Sequence, residues 1–387
     1  MDDEKRIWME YKDKVLNDDY KPKYHYHLDP FFSFLANTER IESIIFPKNS
    51  AIDKLHGFSF LPLIKTISKT PRFKYYEDLN EYKLSTKKRP IFLTAHIDKY
   101  IYGYYSYLLN SLYQQKLNET SFKNAPIAYR SNLDGKCNIQ FSKEVFDFIR
   151  ELKDCTVILT DVSSFFDNID HIRLKKNWCR MLDKDKLPSD HFKVYKALTS
   201  YRYIGLISLL KKFNINLEKN KPIDGSLLSL IGGRKKINDK LKLINNCDLI
   251  VKNKSDKQNK LRGIPQGLSI SAVLSNIYLW DFDNEISDFV ESNGGLYRRY
   301  CDDIILVLPG SDFKTPIELL RKEIVEKRGM IMKSSKTELA KFSESPSGLE
   351  CKTYDISDFK TNQIIDSKRK GVQYLGFTFD GKDVLIR

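Results

Sequence analysis

Two adjacent aspartates lie between two runs of residues that have the alternation of β-strands. They are Asp302 and Asp303, in the sequence YRRYCDDIILVL of residues 297–308. The alternation on both sides predicts an antiparallel hairpin with the two carboxylates at its turn. Their repulsion is relieved if they share a cation, and hard Mg²⁺ prefers carboxylate oxygens. Alone, the pair also suits an ordinary polar turn.

A third aspartate ends a separate apolar strand. The segment CTVILTDV, residues 155–162, predicts a strand from whose end Asp161 emerges. Asp167 and Asp170 follow at positions that suit the first turn of a helix. By itself Asp161 would more often be a strand-end or capping residue. Together with the first pair, it supplies the third carboxylate that a two-metal site needs.

A tight turn carries the third group of candidate residues. RGIPQG, residues 262–267, precedes a predicted helix with small residues near its start. Such a turn allows a flat ring or a phosphate to approach the backbone closely. Taken alone, it is a common structural turn.

The charge of the chain indicates a polyanionic partner. The 387 residues are enough for two or three structural units, and their formal net charge is +14, with basic runs at 87–90, 233–236 and 368–370. A basic globular chain most often binds nucleic acid. The alternative is a lysine-rich composition that reflects an AT-rich genome.

The cysteines and the apolar segments argue against a disulfide-rich, zinc-binding or membrane protein. Six cysteines lie far apart without a CxxC pair, which argues against a disulfide framework and structural zinc. The HYH at 25–27 lacks ligands at suitable spacing, so packing or exposure is expected there. No apolar run approaches the roughly 18–20 residues that span a bilayer, and acids follow Met1. We therefore expect a soluble cytoplasmic protein with no membrane contact.

The rest of the chain alternates helices with antiparallel hairpins, which predicts an α+β fold. The predicted helices are 3–17, 97–112, 144–152, one through Leu174 and Trp178, 269–290 and 315–328. The predicted strands are 90–94, 127–130, 155–162, the hairpin 296–308, 329–339 and a final pair within 372–386, while residues up to 80 after the first helix are expected to be irregular.

In this order, the motifs resemble those of reverse transcriptases, over roughly residues 85–387. The resemblance rests on Asp161-Val162-Ser163-Ser164-Phe165-Phe166, on Gly263-Ile264-Pro265-Gln266-Gly267, on Tyr300-Cys301-Asp302-Asp303, on GMIMKSSK at 329–336 and on Tyr374-Leu375-Gly376. It implies a right-hand polymerase with fingers and an RRM-like antiparallel palm sheet with helices. The chain stops soon after Gly376, so the thumb is expected to be absent or truncated.

The resemblance also implies a site with two Mg²⁺ ions, for which Mn²⁺ could substitute. Asp161 and Asp302 would be the principal ligands, assisted by Asp303 and the Val162 carbonyl. One ion would lower the pKa of the primer hydroxyl, and the other would neutralise the pyrophosphate leaving group.

Further residues are assigned to the nucleotide and the primer by the same resemblance. Phe166 would pack under the sugar and exclude a 2′-hydroxyl, which favours dNTPs over NTPs. Other residues would contact the rest of the nucleotide: Gln266 in the pocket, Lys336 at the pyrophosphate, and Arg89, Lys88 and Arg130 at the triphosphate. Tyr374, Leu375 and Gly376 would form a primer grip. Lys336 is equally well explained as an exposed lysine, and the basic fingers residues could instead contact the template backbone.

The resemblance predicts domain bounds. They are an N-terminal extension at 1–80, fingers at 81–154, a palm at 155–345 with an insertion at 172–262, and a primer-grip hairpin at 346–387.

The fingers sequences at 89–109 and 127–149 resemble the bacterial defence-associated and abortive-infection group, related to retron and group II intron enzymes. This subtype implies an RNA template, which could be a noncoding RNA, a DNA product made from dNTPs, and a role in antiphage defence. A retron or orphan mobile-element enzyme, template-free protein-primed synthesis and an inactive RNA-binding scaffold are the alternatives. Either the chain is a fragment, or another copy of the chain or a partner protein supplies the missing clamp.

Overall fold

The computed structural model describes most of the chain. The described residues are 3–17, 25–31, 33–49, 51–76, 81–130, 132–219, 221–222, 225–231, 237–253, 261–358, 363–367 and 369–386. The basic run predicted at 233–236 lies outside them.

Helices and strands alternate along the chain, which confirms the α+β prediction. The helices are α1 Asp3–Asn17, α2 Phe34–Ile45, α3 His96–Asn118, α4 Asn138–Leu152, α5 His171–Met181, α6 Ser189–Thr199, α7 Leu206–Lys212, α8 Ile237–Asn246, α9 Ser269–Tyr278, α10 Trp280–Ser292 and α11 Lys314–Arg321. The strands are β1 Leu63–Tyr76, β2 Glu81–Leu93, β3 Cys155–Ser163, β4 Arg202–Gly205, β5 Ile250–Lys252, β6 Leu296–Tyr300, β7 Asp303–Pro309, β8 Ile331–Ser345, β9 Gly348–Asp358, β10 Gln363–Asp366, β11 Val372–Tyr374, β12 Phe377–Phe379 and β13 Val384–Ile386.

The chain forms two compact units. The first comprises residues 1–109 and 183–271, and the second comprises residues 110–182 and 272–387. The domain bounds predicted from the sequence are drawn on a different basis and stay a prediction.

A four-stranded sheet in the order β2-β1-β4-β5 forms the first unit's framework. Its core contains apolar side chains from β1, β4, α7 and α8, among them Ile64, Ile204 and Ile244, all fully buried. Helix α1 packs through Trp8, whose ring meets that of Tyr104 on α3 edge to face at 5.6 Å between centroids. Burial of these rings fixes α1, for which the bounds predicted from the apolar spacing are confirmed.

Strands β1 and β2 form a long antiparallel hairpin that the sequence did not predict. They pair from Ile64↔Leu93 to Tyr76↔Glu81, but β1 pairs with β4 only over Leu63–Lys65. Most of the hairpin's described side chains beyond Lys65 are exposed. Without a core beneath it, the hairpin needs no apolar face, so its sequence lacks the alternation by which strands are usually recognised.

A six-stranded antiparallel sheet in the order β10-β9-β8-β3-β7-β6 is the framework of the second unit. Strand β3 lies between β8 and β7 and is buried on both faces, which explains its continuous apolar sequence. Its Val157 and Leu159 pack with Ile305 and Val307 of β7 and with α4. The small sheet β11-β12-β13 contributes Phe379 and its neighbours to the same core.

The predicted helix at 269–290 is wrong in one respect, because it breaks at Leu279. The amide of Leu279 bonds to the carbonyls of Ser275 and Asn276 at 3.3 and 3.2 Å. The carbonyls of Ile277 and Tyr278 instead accept hydrogen bonds from the Asn177 side chain at 3.0 and 3.2 Å. A side chain on α5 therefore satisfies the groups that the break leaves open.

The predicted strand at 127–130 is also wrong. The amide of Ile127 donates to the carbonyl of Arg299 at 2.9 Å, and Pro126 forms an isolated bridge to the same residue. Tyr129 then adopts a left-handed conformation with φ 58°, which ends any extended run.

Within the described part of the chain, no helix is long and apolar enough to cross a membrane.

Candidate active site

Two neighbouring strands of the six-stranded sheet carry aspartates at opposed positions. Asp161 on β3 is the cross-strand partner of Asp303 on β7. Side chains of such partners leave the same face of the sheet with Cβ atoms about 4.5–5.5 Å apart. Like charges placed in this way destabilise a sheet unless a cation lies close to them. The pairing therefore assembles two of the three carboxylates that the sequence predicted.

The third carboxylate is held by the turn between β6 and β7. Cys301 adopts a left-handed conformation with φ 59°, and the carbonyl of Asp302 accepts a hydrogen bond from the amide of Val162 at 3.1 Å. Burial raises the pKa of Asp302, the Asp161 carboxylate raises it further, and Lys336 opposes both effects. Asp161 is thus close enough to disfavour the charge of Asp302.

Lys336 on β8 forms an ion pair with Asp161. The β3–β8 register shifts between Thr160, which pairs with Thr337, and Val162, which pairs with Met332. The shift falls at Asp161, which is left without a β8 partner, and such irregularities often redirect a side chain near an active site. The structure therefore places Lys336 at the carboxylates.

The donor set suits a hard divalent cation, since it offers carboxylate oxygens and the Val162 carbonyl. Among the residues described, however, no group of three or more His, Cys, Asp or Glu side chains is already arranged to hold a metal ion. Asp161 is instead paired with Lys336, and the three aspartates stay a prediction as metal ligands.

A fully buried arginine anchors the aspartate turn. Arg299 on β6 donates to both carboxylate oxygens of Asp283 on α10, at 2.7 and 2.6 Å. It also donates to the carbonyl of Cys301 at 3.0 Å and to the side chain of Asn276 at 3.2 Å. Burial opposes its charge, but Asp283 keeps the pKa of Arg299 above its usual value. The pair ties the turn that carries Asp302 to the helix beneath it.

Tyr129, like Arg299, is a residue near the aspartate turn that the sequence did not predict. Its side chain is 47% exposed and contacts Cys301, and its pKa is raised by burial, by Cys301 and by Asp302. Non-glycine residues in the left-handed region cluster at active sites. No motif in the sequence marks Tyr129, because its position depends on the contact with the β6–β7 turn.

Arg130, which the sequence assigned to the triphosphate, is bonded to a neighbouring loop. Its guanidinium donates to the side chain of Gln114 at 3.1 Å and to the carbonyl of Pro126 at 3.1 Å, and it also contacts the carbonyl of Lys123. Burial lowers its pKa. These bonds use Nε and Nη1 of Arg130, and its role at the triphosphate stays a prediction.

Phe166 follows β3 in a short 3₁₀ turn, Phe165–Asn168. It is half-buried and meets the buried Phe165 edge to face at 5.4 Å between ring centroids. Ser164 before it adopts a left-handed conformation. The tight turn keeps Phe166 within a few residues of Asp161, where its role at the sugar stays a prediction.

The GIPQG turn belongs to the first unit, where main-chain contacts hold it against β2. The amide of Phe92 donates to the carbonyl of Gln266 at 2.9 Å. Gly267 has φ 112°, and a Cβ there would lie 2.8 Å from both Ile91 and the Phe92 carbonyl. The Ser271 hydroxyl donates to the Pro265 carbonyl at 2.6 Å. Gln266 itself is half-buried at the surface of this turn.

Arg89 and Lys88 leave β2 from opposite faces, because successive residues of a strand alternate. Their partners on β1 are Ser68 and Lys69. A ligand on one face of the hairpin therefore meets only one of the two residues assigned to the triphosphate.

The proposed primer grip is a turn between β11 and β12 in the second unit. Leu375 and Gly376 have φ 45° and 96°, as required at the centre of a tight hairpin turn. The Tyr374 side chain is buried in the core, and its carbonyl accepts a hydrogen bond from Ser142 at 3.3 Å. Only the exposed turn, and not the Tyr374 ring, is available to a ligand.

Comparison with known proteins identifies a domain that contains several of these candidate residues. Residues 230–379 match the family Reverse transcriptase (RNA-dependent DNA polymerase). The match includes the GIPQG turn, Asp302 and Asp303, and it leaves Asp161 outside. A reverse transcriptase domain is that of a nucleotidyltransferase, an RNA-directed DNA polymerase, and such domains use divalent metal ions. Curated proteins give no match to the chain.

Among solved structures, two yeast telomerases are similar. Apo telomerase from Candida tropicalis, truncated from its C-terminal domain, matches at 10% identity and a TM-score of 0.44 over 84% of this chain and 55% of that one. Telomerase from Candida albicans, in complex with the TWJ fragment of telomeric RNA, matches at 12% identity and a TM-score of 0.40, over 94% of this chain and 54% of that one. The chain thus spans about half the length of these telomerase chains.

Proposed function

We propose that the chain is a reverse transcriptase that adds dNTPs to a primer on an RNA template. The observation that carries this proposal is the opposition of Asp161 and Asp303 across paired strands, with Asp302 bound through its carbonyl to Val162. The reverse transcriptase domain at residues 230–379 supports it. Neither a polar turn nor a capping residue requires three carboxylates at one edge of a sheet.

Within this proposal, Asp161, Asp302, Asp303 and the Val162 carbonyl would hold two Mg²⁺ ions. Bound there, the ions would supply a lower pKa for the primer hydroxyl and would neutralise charge on the pyrophosphate. Lys336, which now pairs with Asp161, would donate to the pyrophosphate. Arg299 keeps the Cys301 carbonyl, and with it Asp302, in a fixed position. Phe166 excludes a ribose 2′-hydroxyl and so selects dNTPs.

The experiment is incorporation of labelled dNTPs by the purified chain with Mg²⁺, with and without a primed RNA template. Template-dependent product that is lost in Asp302→Asn/Asp303→Asn supports the proposal. Asp134→Asn/Asp288→Asn, which changes two exposed aspartates, is the control and should retain activity. Product formed without template and attached to protein would replace the proposal with protein-primed synthesis. If RNA binds equally well in EDTA and in Mg²⁺ and no product forms, the chain is an inactive RNA-binding scaffold.

We further propose a role in antiphage defence, which the similarity of residues 89–109 and 127–149 to defence-associated enzymes supports. Expression of the chain should lower phage plating, and the Asp302→Asn/Asp303→Asn variant should not. Equal plating with both would refute the role.

A further inference from the structure

We propose that a cavity in the first unit binds a free nucleotide, through residues other than those of the candidate active site. The cavity has a volume of about 420 Å³ and lies between residues 58–63, which lead into β1, and the last turns of α6. Ligand cavities in proteins typically measure about 300–1,000 Å³ and are mostly apolar with a few polar groups. None of the residues assigned above to the nucleotide, the metal ions or the primer is among the described residues that line this cavity.

Aromatic rings form one side of the cavity. Phe60 lies against Tyr102 of α3 with its ring inclined by only 27°, at 4.7 Å between centroids. Phe58 meets Phe60 edge to face at 5.1 Å. The Tyr102 side chain is buried and supports Phe60, while Phe58 and Phe60 are half-buried and line the cavity. Rings held in this way offer a flat apolar surface on which a nucleobase can stack.

Three cations line the same cavity, and none of the described residues that line it is acidic. They are Lys193 and Lys196 of α6 and Arg202 of β4. The ammonium of Lys193 donates to the carbonyl of Leu55 at 2.6 Å, a neutral acceptor that does not compensate its charge. Lys196 and Arg202 are exposed, and neither forms an ion pair with a residue that the structure describes. The cavity therefore favours an anionic ligand.

The register of the sheet places a further cation beside Arg202. Arg202 of β4 is the cross-strand partner of Lys252 on β5, so both side chains leave the same face of the sheet. Lys252 is exposed and also has no ion pair within the described ranges. Like charges in directly opposed positions destabilise a sheet, and an anion between them would remove the repulsion. The charged group of the ligand is therefore expected at Arg202.

A carboxylate next to the cavity does little to offset these charges. Asp98 of α3 accepts a hydrogen bond from the amide of Leu61 at 3.0 Å, and its side chain is buried. Burial raises the pKa of Asp98 well above its usual value, although the Leu61 amide opposes this effect. The neutral form of Asp98 is therefore favoured, and the cavity keeps its positive charge.

Stacked rings on one side and uncompensated cations on the other match a ligand that joins a flat heteroaromatic ring to a phosphate. This is the chemistry of a nucleotide. An apolar ligand would leave the cations unpaired, and inorganic phosphate would leave the rings in contact with water. A cavity of this size encloses one nucleotide and not a run of them, which favours a free nucleotide over a strand. The inference goes beyond the proposed function, because a nucleotide held here is not the one that is incorporated.

The test measures the fluorescence anisotropy of N-methylanthraniloyl-AMP with the full chain, in EDTA so that no synthesis occurs. Lys196→Ala/Arg202→Ala should weaken binding about tenfold, because contacts of both cations with the phosphate are lost. Phe58→Ala should weaken binding about fivefold or more, while Phe58→Trp should retain the affinity. Since Lys196 and Arg202 are exposed, their variant should fold, and circular dichroism checks all the variants.

The matched control is Lys184→Ala/Lys186→Ala, which removes the same charge from exposed positions of the same unit. It should bind the labelled AMP with the affinity of the unchanged protein. Equal affinities of this control and of Lys196→Ala/Arg202→Ala would overturn the inference.

Competition separates the features of the ligand. Unlabelled AMP should displace the probe at least tenfold more effectively than adenosine, which lacks the phosphate; equal displacement by the two would overturn the inference. An unstructured 20-nucleotide RNA that displaces the probe better than AMP, at equal nucleotide concentration, would overturn the assignment to a free nucleotide. Asp302→Asn/Asp303→Asn should bind the probe normally, so its loss of incorporation tests the proposed function separately from this cavity.

Discussion

Removal of the Asp283 carboxylate should destabilise the second unit far more than removal of a partly exposed carboxylate on the same helix. In Asp283→Ala, Arg299 keeps its charge but loses both charge-assisted hydrogen bonds, at 2.7 and 2.6 Å. The Tyr297 hydroxyl loses its acceptor as well, at 2.7 Å. Both members of the ion pair are 0% exposed, so water cannot replace the carboxylate.

The expected cost follows from this burial. Breaking a buried ion pair by removing one partner costs about 3–5 kcal/mol. The matched control is Asp281→Ala, two residues away on α10, whose partner Arg180 is 38% exposed and which is itself 33% exposed. Exposed pairs contribute about 0–1 kcal/mol, so the two variants should differ by at least about 2 kcal/mol.

Urea unfolding followed by circular dichroism measures this difference through the transition midpoint. The double variant Asp283→Leu/Arg299→Met should recover part of the loss, because an apolar pair of similar volume removes the uncompensated charge. Equal midpoints for Asp283→Ala and Asp281→Ala would refute the reasoning. So would a double variant less stable than Asp283→Ala alone.

Two further predictions concern the nucleotide and the buried histidine of the first unit. Phe166→Val should raise the ratio of ribonucleotide to deoxyribonucleotide incorporation about tenfold, measured as kcat/KM for the two nucleotides; an unchanged ratio would exclude Phe166 as the sugar-selecting residue. Burial lowers the pKa of His27, with Asp29 opposing that effect, so the folded protein keeps this ring neutral while the unfolded chain takes up a proton below about pH 6.5. The free energy of unfolding should therefore fall as pH drops from 6.5 towards 5, and His27→Leu should flatten this slope in urea titrations at each pH; an identical slope in both proteins would contradict the assignment.

The elements that the sequence predicted well are those whose residues meet the core with a regular period. Strand β6 alternates between buried and partly exposed positions, and Asp302 and Asp303 follow it as expected, but the alternation predicted for β7 is wrong because Ile304–Leu308 are all buried. Asp170, expected near the start of a helix, caps α5 by accepting a hydrogen bond from the amide of Arg173 at 2.8 Å. Local rules suffice for such features because each depends on residues a few positions apart.

The missed features depend on partners that are distant in the sequence. The break at Leu279 exists because Asn177, about a hundred residues earlier, satisfies the freed carbonyls. Arg299 belongs to the site only through Asp283, and a charged residue on the buried side of β6 was the one signal that could have revealed it. The bonds of Arg130 to Gln114 and to nearby carbonyls were missed because these acceptors belong to no motif.

The contact between the GIPQG turn and β2 has a consequence for how freely this region can change in sequence. The bond from Phe92 to Gln266 joins main-chain atoms, so it survives most exchanges of either side chain. Gly267 is different, since any added Cβ would strike Ile91 and the Phe92 carbonyl. Homologous chains can therefore vary the side chains at positions 92 and 266 independently, as long as position 267 stays without a side chain.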